Sequence, residues 1–306
     1  MRLVFAGTPL VAAETLTHLL AAGTHEVAAV LTRPDAPQGR SSRPVPSPVA
    51  QLAAEHGIEV LRPARAGDPE LASRLAQLAP DCCPVVAYGG LIPKSLLDLP
   101  RHGWVNVHFS LLPRWRGAAP VQHAILAGDE VTGVTVFELV EALDAGPVLA
   151  TAEYTFGPEE TAGEALAGLQ DLGAAELLRT LDGLAAGTLT PTPQPSDGVT
   201  LAPKLSVAGA RIDWNRSALE ISRQVRANNP SPVAWTELDG HRLRVLLATP
   251  AEGEDLPAGE FRPGKHSVLA GTGDGLLQLV EVQPDGKRPT AAADWGRGQR
   301  GSGRFQ

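Results

Sequence analysis

Asn106 and His108 lie two residues apart in WVNVHFSLLPRWRGAAP, residues 104–120, a run that opens with the alternation of a strand. Residues i and i+2 of a strand share a face, so Asn106 and His108 point one way while Val105 and Val107 point the other. An Asn amide donates to a developing oxyanion, and a histidine exchanges protons near neutral pH. Together they suit acyl transfer without a covalent intermediate. The same two side chains could instead satisfy one another at a strand end. No nucleophile signature accompanies them: there is no G-x-S-x-G elbow, and Cys82 and Cys83 sit side by side in an apolar strand. A third candidate is Asp144, in Leu143-Asp144-Ala145-Gly146. It either caps turn amides, or, if the fold brings it against His108, fixes the ring and raises the imidazole pKa.

These groups need a scaffold that ends strands together. Arg2 to Ala6 reads as a short buried strand, with Gly7-Thr8-Pro9 as turn, N-cap and first helical proline, a helix to about Ala22, and Gly23 closing it. Strands follow at Glu26–Leu31, Ile58–Leu61, Cys82–Tyr88, Trp104–Phe109 and Gly133–Leu139, with helices at Ser47–Glu55, Pro69–Leu78 and Ala118–Leu126. Alternating strands and helices predict an α/β fold, a Rossmann-like, doubly wound and mostly parallel sheet, which binds ligands at the C-terminal ends of its strands. Glu159 to Ala186 reads as one long helix or a broken pair. Thr188 to Gly198 is rich in Pro and Thr and reads as a linker. Beyond it, a helix over Ala218–Ala227 and short strands at Leu243–Leu247, Ser267–Ala270 and Leu276–Val282 predict a small β-barrel, OB-like, or a sandwich. The expected domains are 1–187 (catalytic), 188–204 (linker) and 205–306 (barrel).

The composition agrees with a soluble globular protein: 306 residues, 43% hydrophobic and 20% charged. No apolar run approaches the roughly 20 residues of a membrane span, and the first strand is too short for a signal peptide, so a cytoplasmic location is expected. Two adjacent cysteines make neither a disulfide framework nor a zinc site. The net charge is −8, yet residues 261–306 carry seven Lys and Arg against four Asp and Glu. The basic groups are segregated, as in a protein that needs one local basic face. A dinucleotide site is disfavoured, because Ala6-Gly7-Thr8-Pro9-Leu10-Val11 has one glycine where the fingerprint needs three; tight packing accounts for Gly7.

Phe5-Ala6-Gly7-Thr8-Pro9, Val86-Ala87-Tyr88-Gly89, Asn106-Val107-His108, Ser110-Leu111-Leu112-Pro113, Leu143-Asp144-Ala145-Gly146, Arg211-Ile212-Asp213-Trp214 and Gln283-Pro284-Asp285-Gly286-Lys287 occur in an order and spacing that resembles the methionyl-tRNA formyltransferase family over nearly the whole chain. The resemblance implies transfer of a formyl group from 10-formyltetrahydrofolate, the co-substrate, to the amino group of methionyl initiator tRNA, with no metal, no membrane and a monomeric enzyme. It assigns Asn106, His108 and Asp144 as the catalytic set, with Asn106 and protonated His108 donating to the formyl oxyanion. Its folate pocket would be lined by Val86, Tyr88, Gly89, Leu91, Ser110, Leu111, Leu112 and Pro113. Its tRNA contacts would be Arg40, with Arg33 and Arg43 in the same loop, and Lys287 and Arg288 in the barrel. That loop, roughly 15 residues without predicted structure, is uncommon unless functional. Phe109 and Ala142 depart from the family's pattern, at positions that would narrow the folate pocket or stiffen the loop before Asp144. Asn228 and Ser231 stand where many members carry aromatic residues. Formyl transfer to a small amine and a catalytically inactive tRNA-binding protein are the alternative readings; the barrel and the Arg40 loop speak against the first, the intact triad against the second.

Overall fold

The first apolar run is β1 (Arg2–Gly7), and the chain turns from it directly into α1 (Leu10–Ala22). A Cβ on Gly7 would stand 2.6 Å from the Ala12 Cβ and 3.0 Å from the Val86 carbonyl oxygen. Close strand-to-helix packing therefore accounts for this glycine without a phosphate. Thr8 is not the cap that its position suggests: the N-cap is Pro9, and the Thr8 hydroxyl donates to the Tyr88 carbonyl at 2.8 Å.

The computed structural model describes residues 1–37, 43–299 and 301–306. The chain divides into two units. Unit 1 takes Met1–Gly117, Thr132–Tyr154 and Ala167–Leu201; unit 2 takes Ala118–Val131, Thr155–Leu166 and Ala202–Gln306.

After α1 come β2 (Glu26–Leu31), the short pair β3 (Ala36–Pro37) and β4 (Pro44–Val45), α2 (Pro48–Glu55), β5 (Glu59–Leu61), α3 (Pro69–Leu78), β6 (Cys83–Val86), α4 (Lys94–Leu97) and β7 (Trp104–His108). Then follow α5 (Pro120–Ala127), β8 (Val131–Glu138), β9 (Val148–Thr155) and α6 (Ala162–Ala186). The sheet of unit 1 runs β5-β2-β1-β6-β7-β8-β9, parallel from β5 to β7, with β8 antiparallel to β7. This is the doubly wound, mostly parallel sheet that the alternation predicts. The strand order reverses between β1 and β6, the switch point where such sheets open a crevice at their C-terminal ends. Leu3, Val4, Phe5, Val30, Val86 and Val105 are fully buried, as central strands covered on both faces must be. Cys82 and Cys83 are buried with them, and burial pushes the Cys82 thiol up to about 12, so it is unreactive at neutral pH. The edge strand β9 escapes the sequence reading, because VLATAEYT alternates weakly and stays half exposed. α6 is one helix of 25 residues.

The Pro- and Thr-rich segment after α6 is held closely by unit 1. Val148 and Thr192 exchange backbone hydrogen bonds at 2.7 and 2.8 Å, and the Arg116 amide donates to the Thr200 carbonyl at 2.9 Å.

Unit 2 continues with α7 (Ala218–Asn228), β10 (Ala234–Leu238), β11 (His241–Ala251), β12 (Glu260–Pro263), β13 (Val268–Gly271), β14 (Leu276–Pro284), β15 (Thr290–Ala291), α8 (Ala292–Arg297) and β16 (Gly303–Arg304). A capping box opens α7, the Ser217 hydroxyl accepting from the Glu220 amide while the Glu220 carboxylate accepts from the Ser217 amide. The antiparallel sheet runs β10-β11-β14-β13-β12-β16, and Glu237 of β10 exchanges backbone hydrogen bonds with Gln306, just beyond β16. The sheet thus curls until its two edges meet, which is the small barrel that short strands and close turns predict. Ile221 and Val225 of α7 join Val245, Phe261, Leu277 and Leu279 in its core.

Candidate active site

In the antiparallel pairing of β7 with β8, Asn106 stands opposite Phe137 and His108 opposite Thr135. Asn106 and His108 therefore share one face at the C-terminal end of β7, as alternation requires. They do not satisfy one another. His108 Nε2 lies 2.8 Å from the Trp115 carbonyl oxygen, and among the described residues the Asn106 amide makes no side-chain hydrogen bond with the protein. A carbonyl only accepts, so Nε2 carries the proton, and the neutral ring keeps its lone pair on Nδ1. That nitrogen is 3.9 Å from Asp144 Oδ2, which also accepts from the Gly117 amide at 2.7 Å.

Electrostatics corrects one expectation. Asp144 does pull the His108 pKa upward, as does the hydrogen bond to Trp115, but burial outweighs both and the imidazole titrates below its ordinary range. His108 is 5% exposed, and a cation there loses nearly all its water. The resting ring is neutral. It offers a proton acceptor, Nδ1, facing a carboxylate that would stabilise the resulting imidazolium.

The chain beyond His108 is held from β8. The Thr135 hydroxyl donates to the Ser110 carbonyl at 2.7 Å and accepts from the Leu112 amide at 3.1 Å, fixing the chain as it leaves β7. Trp115 and Asp144 both take the left-handed conformation, with φ of 62° and 46°. Such backbone persists in non-glycine residues only where surroundings impose it, and it gathers at functional sites. Two residues on, a Cβ on Gly146 would come within 1.7 Å of the Glu138 carbonyl oxygen. Gly146→Ala must therefore displace the Asp144 loop or the end of β8; a loss of about 1 to 3 kcal/mol in denaturant unfolding is expected, the usual cost of overpacking. An unchanged midpoint would mean that the loop yields freely.

The residues expected to line a folate pocket divide by position. Val86 is fully buried, Tyr88 is 2% exposed and Leu91 is 82% exposed, with Ala87 and Gly89 at φ of 46° and 77° between them. Among the described residues the Tyr88 hydroxyl is buried without a hydrogen-bond partner, and burial raises its pKa against the pull of Arg33. An unpaired buried hydroxyl, a twisted backbone and an exposed leucine fit a flat polar heterocycle at this edge. Ser110 is buried and its hydroxyl is spent on the Arg114 carbonyl at 2.7 Å, so it shapes the turn. Leu111 packs toward Gly133 of β8, where a Cβ would meet its Cδ2 at 2.6 Å. Leu112 is buried and Pro113 half-buried. Phe109 continues the Val107 face: both approach Gly173 of α6, so its bulk is directed away from Asn106 and His108. Ala142 is exposed in the loop before Asp144.

Of the basic residues, Arg33 is exposed in unit 1, its amide 3.4 Å from the Thr8 hydroxyl, and Arg43 is exposed beside β4. Arg40 lies outside the described residues. Lys287 and Arg288 are exposed in unit 2 on the turn between β14 and β15. No group of three or more His, Cys, Asp or Glu among the described residues is placed to hold a metal ion.

Sequence reasoning missed Thr135, Gln194 and Thr200. Gln194 Nε2 donates to the carbonyls of Asp144 and Gly146 at 2.9 and 2.8 Å, and Thr200 Oγ1 accepts from the Trp115 amide at 2.8 Å. Each bonds residues 23 to 85 positions away in the chain, so only the pairing register and the path of the segment after α6 reveal them.

A formyl transferase family model matches residues 1–181, and a formyl transferase C-terminal domain model matches residues 204–300. The chain is 54% identical over 301 residues to the methionyl-tRNA formyltransferase of Streptomyces coelicolor, covering 98% of this chain and 97% of that one. The protein of the same description from Thermobifida fusca is also 54% identical, with the same coverage. Among solved structures, HypX from Aquifex aeolicus in complex with tetrahydrofolic acid superimposes with a TM-score of 0.67 at 20% identity. The match covers 96% of this chain, which spans about half the length of HypX, 46%. An N-formyltransferase from Helicobacter canadensis, with folinic acid and dTDP-3-aminofucose, gives 0.67 at 16% identity, covering 92% of this chain and 98% of that one. At these identities the two structures speak for the fold alone.

Proposed function

The chain belongs to the methionyl-tRNA formyltransferase family, and on that premise we propose that it transfers the formyl group of 10-formyltetrahydrofolate to the amino group of methionyl initiator tRNA. The observation that carries the reading is the juxtaposition of three groups: Asn106, with no side-chain hydrogen bond among the described residues, beside His108 at the end of β7, and Asp144 Oδ2 3.9 Å from His108 Nδ1.

In the reaction the amine nitrogen bonds to the formyl carbon, the carbonyl π electrons move to oxygen, and the nitrogen sheds a proton. When the carbonyl re-forms, the bond to the folate N10 breaks and N10 takes up a proton. Asn106 donates to the developing oxyanion, where a preorganised donor counts most. His108 starts neutral and accepts the amine's proton at Nδ1, directly or through water. As imidazolium, held by Asp144, it places positive charge beside the oxyanion and has a proton to return to N10. Val86 to Leu91 and Ser110 to Pro113 form the folate side, chiefly through backbone groups.

For the acceptor, Arg33, Arg43 and Arg40 in unit 1 and Lys287 and Arg288 in unit 2 are the proposed tRNA contacts. Arginine and lysine on phosphates supply affinity and register, with little choice of sequence. The enzyme works in the cytoplasm as a monomer; among the described residues no helix is long and apolar enough to cross a membrane. The test offers purified protein the formyl donor with initiator methionyl-tRNA, elongator methionyl-tRNA, glycinamide ribonucleotide and an amino-sugar nucleotide. Formylation of the initiator tRNA with the highest kcat/KM is expected; preference for either small amine would overturn the reading.

A further inference from the structure

Gln194, in the Pro- and Thr-rich segment, and Thr200, just beyond it, bond the loops that carry the site. The Gln194 side chain uses all its hydrogen-bonding capacity there. Its amide nitrogen donates to the Asp144 and Gly146 carbonyls at 2.9 and 2.8 Å. Its oxygen accepts from Arg116 Nε at 3.2 Å and Nη2 at 2.7 Å. A primary amide is the side chain that fits: two donors for two carbonyls, one oxygen for a guanidinium. The bonds tie the left-handed Asp144 turn to the Ser110–Gly117 loop.

Thr200 does the same for His108. Its hydroxyl accepts from the Trp115 amide, and its carbonyl accepts from the Arg116 amide at 2.9 Å. The Trp115 peptide is thus held on one side by Thr200, and its carbonyl on the other receives the His108 Nε2 proton at 2.8 Å. That bond decides which ring nitrogen is left to face Asp144. Nothing in the composition of TPQPSDGVT marks either residue.

We propose that Gln194 and Thr200 are positioning residues for formyl transfer, Gln194 holding the Asp144 carboxylate against His108 and Thr200 fixing the ring's orientation through Trp115. The inference rests on the catalytic reading of His108 and Asp144. A displacement of about 1 Å at reacting groups costs up to roughly 100-fold in rate, so the expected losses are large enough to measure.

The experiment compares Gln194→Met, of similar size but unable to make these bonds, with Thr200→Val and Thr200→Ser. His108→Ala and Asp144→Asn run alongside, all with 10-formyltetrahydrofolate and methionyl initiator tRNA. Gln194→Met is expected to lower kcat roughly 10- to 100-fold with the KM for the formyl donor within twofold. It should also shift the acid limb of the kcat/KM profile to lower pH, because Asp144 no longer supports the imidazolium. Thr200→Val should lose a comparable factor, and Thr200→Ser, which keeps the acceptor oxygen, should recover most of it. Should Gln194→Met fail to fold, the Thr200 pair still decides through the gap between isosteric Val and Ser. Losses in Gln194→Met without a pH shift, or equal activity of Thr200→Val and Thr200→Ser, would overturn the inference while His108→Ala and Asp144→Asn remain impaired. Full activity of those two would overturn the catalytic reading instead.

Discussion

His108→Ala is expected to lower kcat by roughly 10² to 10⁴, the range for a general acid–base group that also stabilises a transition-state charge. The ring lies between the Trp115 carbonyl, 2.8 Å from Nε2, and the Asp144 carboxylate, 3.9 Å from Nδ1. Its removal deletes the proton acceptor that stands beside Asn106 on that face of β7. The fold should survive, since the strand is set by its pairing with β6 and β8, and the ring meets Phe137 edge-on at 6.3 Å. His108→Gln sharpens the result. Glutamine can still donate to the Trp115 carbonyl, yet it accepts no proton near neutral pH, so its rate should fall as far as that of alanine. Steady-state turnover checks both, with circular dichroism reporting the fold. Turnover within threefold of the parent in either variant would return His108 to a structural role.

How much of this was legible beforehand follows from where each partner comes from. Asn106 and His108 could be placed on one face because strand alternation is local, and so, in principle, could Phe109, which shares the face of Val107 and packs toward Gly173. Gly7 could be read as a packing glycine from a single motif. The protonation of His108 could not: charge counting notices Asp144, whereas burial to 5% exposure depends on everything packed around the ring. Thr8 looks like a helix cap in sequence and becomes a link to Tyr88 because β1 and β6 are neighbours across the switch point. Gln194 and Thr200 were hidden for a different reason. Pro, Thr and Ser describe a flexible connector when no neighbour is known, and the same residues are good hydrogen-bonding material once a loop lies beside them. The barrel was legible in outline, from short strands and turns, and its closure through Glu237 and Gln306 was not, since it joins residues far apart in the chain.

Asp144→Asn separates charge from shape. Asparagine tolerates the left-handed backbone about as well as aspartate, so the φ of 46° is no obstacle, and its carbonyl oxygen can still accept the Gly117 amide. What goes is the negative charge beside His108 Nδ1. In the parent, burial holds the His108 pKa below about 6.5 and the Asp144 carboxylate opposes it, so the neutral, working form of the ring prevails above that depressed pKa. Without the carboxylate only burial and the Trp115 bond remain, and the pKa falls further. The acid limb of kcat/KM should therefore move to lower pH. At the same time the plateau should drop by roughly 10² to 10⁴, because the imidazolium formed during proton transfer is a buried cation without its counter-charge. The unfolding midpoint should change little, in contrast to Asp144→Ala, which loses both the turn preference and the acceptor for Gly117. A pH–rate series on the two variants and the parent checks this. An acid limb that moves upward, or a plateau left intact, would mean that Asp144 serves the loop and not the histidine.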